Sequence, residues 1–103
     1  VDDATLREIR EFTDTVNEMT ELGVRSVVER DYDLALQTKK LFRDVEDSQT
    51  EILTSLPEMD NDKLLQVREV LVALQQTAQY AVRNAEIATN LALDTNSEYV
   101  TIT

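Results

Sequence analysis

Apolar residues in the last third of the chain recur in alternating steps of three and four: Leu64, Val67, Leu71, Leu74, Ala78, Ala81, Ala85, Ala88 and Ala92. This spacing keeps one stripe of a helix turned toward a partner helix. The first half of the stripe is bulky and the second half is all alanine, so backbones must approach more closely at the C-terminal end. The pattern predicts a long helix over about residues 62–94, buried against helical neighbours.

Two further stripes precede it. Helix one is expected over about residues 4–29, with Leu6, Ile9, Phe12, Val16, Met19 and Gly23 on its core face and Val24, Val27 and Val28 closing it. Thr5 and Glu8 have capping-box spacing, and Asp2 and Asp3 suit the positive end of a helix. Gly23 costs a helix roughly 1 kcal/mol relative to alanine, which a close helix crossing explains better than a hinge. Asp31 is the expected cap of helix two, over about residues 32–55. Its stripe is Leu34, Thr38, Leu41, Val45, Ser48 and Ile52, flanked by Ala35, Phe42 and Leu56. The hydroxyls of Thr38 and Ser48 at seam positions are expected to bond back to the carbonyl one turn earlier.

Pro57 falls where a helix must end, and residues 58–62 read as a short acidic loop with Asp60 or Asn61 capping helix three. From Thr95 to Thr103 the helical period is lost, and Tyr99–Thr103 is β-branched enough for a frayed end or an edge strand that pairs in an assembly. Short connections between long helices force antiparallel neighbours. The expected fold is therefore all-α: an up-down-up three-helix bundle over residues 1–94 with a tail at 95–103. A helical hairpin that dimerises is the alternative. One very long coil is disfavoured by the breaks near residues 30 and 57.

With 103 residues, one glycine and one proline, the chain suits a single helical core and lacks the punctuation of a β-rich fold. It has no cysteine, which excludes disulfides and thiolate zinc sites and favours a cytoplasmic setting. No apolar run reaches the length of a membrane span, so no membrane insertion is expected. Val1 is not a start methionine, which suggests a piece of a longer protein. The net charge is −11, with acidic residues spread over all three helical segments, which opposes direct nucleic-acid binding. Three lysines among so many acids also fit a protein adapted to high salt.

Two stretches resemble the repeat unit of the PhoU family of phosphate-uptake regulators. The first is Arg30-Asp31-Tyr32-Asp33-Leu34-Ala35, followed by Thr38, Val45 and Ile52. The second is Ala78-Gln79-Tyr80-Ala81-Val82-Arg83-Asn84-Ala85-Glu86-Ile87-Ala88, similar to the alanine-rich run that follows a Glu-x-x-x-Asp motif on the family's third helix. The resemblance covers most of residues 4–94 and implies one three-helix PhoU-like repeat, where the family carries two. It also implies a regulatory role exercised on a phosphate transporter or its sensor kinase. The family's metal-ligand positions fall on Gln75 and Gln79 of helix three and on Phe42 and Glu46 of helix two. A second register places them on Val82 and Glu86. Only Glu46 in the first register is acidic, and neutral amides cannot supply the charge of a multinuclear metal cluster. No metal or cofactor is expected.

The chain has no histidine, and no spacing marks an activated nucleophile or a poised base, so an enzyme is not expected. The carboxylate pairs Glu18 with Glu21, Asp44 with Asp47, and Asp47 with Glu51 could chelate a hard cation loosely, but in so acidic a chain they read as solvated faces. Tyr32 and Tyr80 are lone phenols expected to pack. Gln75, Gln76 and Gln79, with Tyr80, form a polar patch beside the helix-three seam and are the candidates for contact with another chain. A non-enzymatic regulatory interaction domain is the expected function. The alternatives are a homo-oligomerising assembly module, motivated by the alanine seam and the tail, and a metal-binding carboxylate bundle.

Overall fold

The computed structural model describes residues 3–54, 56 and 61–102, the last eight of them as helix backbone. The described residues form three helices: α1 at Asp3–Val28, α2 at Tyr32–Thr54 and α3 at Asn61–Ile102. Each packs on the other two. The all-α three-helix bundle is the fold, drawn out to 65 × 18 × 18 Å.

Contacts along the seams give the directions. Val27 at the end of α1 and Ala35 near the start of α2 pack with Ala85 and Ala88 far along α3. Gln49, near the end of α2, bonds to Gln75 earlier in α3, so α2 and α3 run antiparallel. Gly23 lies against Ala81 and Val27 against the Ala85–Ala88 cluster, so α1 runs parallel to α3. The order is up, down, up.

The main core joins Phe12, Val16 and Met19 of α1, Val45 and Ile52 of α2, Leu56, and Val67, Leu71, Ala78 and Ala81 of α3. Every α3 seam position from Leu64 to Ala92 is buried or half-buried. At Gly23, α1 lies directly against the α3 backbone. A Cβ there would stand 2.9 Å from the backbone oxygen of Ala81. The buried Ser26 hydroxyl donates to the Gly23 carbonyl at 2.7 Å, satisfying its polar group inside the same contact. Thr38, fully buried, donates to the Leu34 carbonyl at 2.8 Å.

The corner between α1 and α2 is closed from both sides. The Asp31 amide donates to the Ser26 carbonyl at 2.9 Å and the Arg30 amide to the Val27 carbonyl at 3.2 Å, the paired bonds of a Schellman motif. Arg30 occupies its left-handed position, with φ of 50°. The Asp31 carboxylate then accepts from the amides of Asp33 (2.9 Å) and Leu34 (3.2 Å), capping α2. One residue thus ends one helix and starts the next.

Four expectations are corrected. Thr5 does not cap α1, which already begins at Asp3; it is a buried seam residue. Leu6, Val24 and Val28 are exposed rather than core. The α1 face that meets the bundle is Thr5, half-buried Ile9, Phe12, Val16, Met19, Gly23 and Ser26, a strict three-and-four repeat. Those three apolar residues fall off that repeat, each about 100° or more around the helix from its neighbouring seam residue. Residues 95–102 are helix, not strand or frayed end, so α3 outlasts the expected limit at 94. No glycine or proline follows Pro57 to stop it. Adding a residue to a running helix also gains one hydrogen bond per residue, which outweighs a weak β preference. Finally, Tyr32 and Tyr80 are exposed rather than packed. Pro57, Asp60 and the expected loop cap lie outside the described residues, except that α3 begins at Asn61.

Because α3 has 42 residues and α1 has 26, α3 exceeds α1 by 16 residues, about 24 Å of helix. No described helix is long and apolar enough to cross a membrane.

Candidate functional site

The polar patch expected beside the α3 seam divides in two. Gln75 turns inward: it is half-buried, and the Gln49 side-chain amide donates to its oxygen at 2.9 Å. This bond ties α2 to α3 at one of the positions where the PhoU resemblance would set a metal ligand. Gln76, Gln79 and Tyr80 stay on the exposed side and line a groove with Arg83. The Arg83 guanidinium lies 5.5 Å from the centre of the Tyr80 ring, one helical turn back. That distance suits a cation–π contact, which holds both long side chains in one arrangement.

A second groove continues toward the start of α3, lined by Leu65, Arg68, Glu69, Val72, Ala73 and Gln76. Gln76 belongs to both. Together they make a strip of amide, phenol, guanidinium and aliphatic groups on the side of α3 away from the core. Such a surface offers hydrogen bonds and apolar area to another helix. Arg83 and Gln49 were not singled out from sequence. The Tyr80–Arg83 spacing of three was the available signal; the Gln49–Gln75 bond depends on the α2–α3 register, which no local pattern encodes.

The other resemblance-derived positions are scattered in role. Phe42 and Val82 are half-buried against the main core. Glu46 and Glu86 are exposed. The pairs Glu18 with Glu21, Asp44 with Asp47, and Asp47 with Glu51 all lie on exposed faces. Among the described residues no three acidic, histidine or cysteine side chains cluster in a way that could hold a metal ion. A groove between α1 and α2 is lined by Glu18, Leu22, Gln37, Lys40, Leu41 and Asp44. Near the start of α1, one carboxylate oxygen of Glu8 is buried without a hydrogen-bond partner.

Compared with protein-family models, with curated proteins and with solved structures, the chain matches none.

Proposed function

We propose that this chain is a non-enzymatic interaction domain whose working surface is the outward face of α3, and that it acts as a PhoU-like regulator of phosphate uptake. The observation that carries the interaction reading is the strip of exposed apolar, amide and aromatic side chains along α3, backed for its length by a packed bundle. A rigid helix presenting such a strip is a ready partner for another helix. The phosphate-regulating part comes from the sequence resemblance in α2 and α3, with a phosphate transporter or its sensor kinase as the contact it implies. A cytoplasmic, high-salt setting fits the absence of cysteine and the acidic surface.

The test is phosphate uptake in the organism that carries the chain, with the gene deleted and then restored as wild type or as Tyr80→Asp. Deletion should leave uptake high in phosphate-replete cells. Wild type should restore repression, and Tyr80→Asp should not. Uptake that responds normally to phosphate after deletion would reject the regulatory reading.

A further inference from the structure

Six of the twelve exposed large apolar side chains among the described residues lie on α3. Four of them are in register: Leu65 (60 % exposed), Val72 (52 %), Tyr80 (63 %) and Ile87 (49 %). With Glu69, Gln76 and Arg83, at 100° per residue, they fall within an arc of about 80° opposite the buried seam. The strip has an internal symmetry. Reversing α3 about Gln76 carries Leu65 onto Ile87, Val72 onto Tyr80 and Gln76 onto itself. The same reversal carries Glu69 onto Arg83. It also carries the Gln76, Gln79, Tyr80 and Arg83 groove onto Gln76, Ala73, Val72 and Glu69, all of which line the other groove.

We infer that the outer face of α3 binds the same face of a second copy of this chain, antiparallel, about a two-fold axis through Gln76. An isologous contact requires a surface complementary to its own reversal, and this strip is one: apolar meets apolar, acid meets base, and a neutral amide meets itself on the axis. Charge is compatible with this face. From Leu65 to Ile87 there are two bases (Arg68, Arg83) and two acids (Glu69, Glu86), a net of zero on a chain of −11. Two copies therefore meet through this stretch without net charge repulsion, and with Glu69 facing Arg83. The cation–π contact holds Tyr80 and Arg83 in place before the partner arrives. From Leu65 to Ile87 the contact would run about 33 Å, with helix axes about 8–10 Å apart. A single helix pair of this kind makes a reversible dimer rather than an obligate one. The inference rests on reading the α3 face as an interaction surface and names its occupant.

Purified protein tests it directly, separately from the uptake experiment. Sedimentation or light scattering should show a monomer–dimer equilibrium. Glu69→Arg should weaken the dimer by about tenfold or more, because two arginines then face each other at both ends of the strip. That variant lowers the net charge from −11 to −9 (a change of +2), so general repulsion alone would strengthen association instead. Arg83→Glu should weaken it similarly, and the double swap Glu69→Arg with Arg83→Glu should restore it. Gln76→Cys, in a chain without other cysteines, should form a disulfide-linked dimer under mild oxidation, while Glu11→Cys on α1 should not. A wild-type chain that stays monomeric up to millimolar concentration would overturn the proposal. So would a double swap that stays as weak as its parents, or Gln76→Cys linking no faster than Glu11→Cys.

Discussion

Gly23 sits at a close crossing of α1 and α3. The atom that a new Cβ would meet is the Ala81 carbonyl oxygen, at 2.9 Å, with the Ala81 Cα next at 3.3 Å. Both belong to the backbone, so neither can rotate away. Alanine at position 23 gains about 1 kcal/mol of helix propensity but forces α1 from α3, an overpacking cost of about 1–3 kcal/mol. Gly23→Ala should therefore destabilise the chain by up to about 2 kcal/mol, read from urea unfolding. Trimming the neighbour should not help: the double variant with Ala81→Gly should be no more stable than Gly23→Ala alone. Recovery by Ala81→Gly would mean that side-chain bulk, not the backbone, sets the distance. The close crossing was legible in sequence, because a lone glycine stood on a helical stripe opposite an all-alanine seam. That Ser26 would line the same contact was not, since a serine among valines looks like a surface residue until its hydroxyl is seen bonded to the Gly23 carbonyl.

At the scale of elements, what could be read from sequence was whatever a long, unbroken period encodes. The α3 seam from Leu64 to Ala92 faces the bundle throughout, and Asp31 caps α2. The ends of elements were harder, because there local preference and tertiary packing diverge. Leu6, Val24 and Val28 are apolar yet lie off the α1 seam, while Thr5 and Ser26 are polar yet buried in it. The polar patch on α3 was legible as residue types, but its division was not, because only the α2–α3 register decides that Gln75 turns inward and Gln76 outward. The α1–α2 corner holds a conformation no pattern announced: Arg30 at φ of 50°, a region that costs an ordinary residue about 1–2 kcal/mol. Glycine removes that strain but loses more entropy on folding, so Arg30→Gly should stabilise by about 0.5–1 kcal/mol. Arg30→Val should destabilise, as a β-branched residue tolerates this region poorly. Thermal unfolding of the two variants checks the pair. A less stable Arg30→Gly would show that the arginine side chain contributes more at the corner than its backbone strain costs.

For the whole molecule the governing quantity is charge. Twenty-one acids face ten bases on a rod about 18 Å across, so eleven carboxylates have no base to match them one for one. Arg25 pairs with Glu29 at 3.1 Å, but both side chains are about half exposed, so the pair adds little. The excess negative charge repels itself along the rod, and the repulsion fades as the Debye length falls from about 10 Å at 0.1 M salt to about 3 Å at 1 M. Screening favours folding, because the folded rod holds like charges closer together than the unfolded chain does. Salting-out salts such as sulfate also strengthen burial of the Leu–Val half of the α3 seam, whereas chelation has no evident target in an amide-bonded Gln75 and a core-packed Phe42. Stability should therefore follow salt rather than metal. Melting should shift upward by several degrees between about 0.1 M and 2 M KCl and be indifferent to EDTA at either salt. A melting temperature unmoved by salt but sharply lowered by EDTA would mean that the surface carboxylates hold a structural metal, and that the acidic surface is a binding site rather than a source of repulsion.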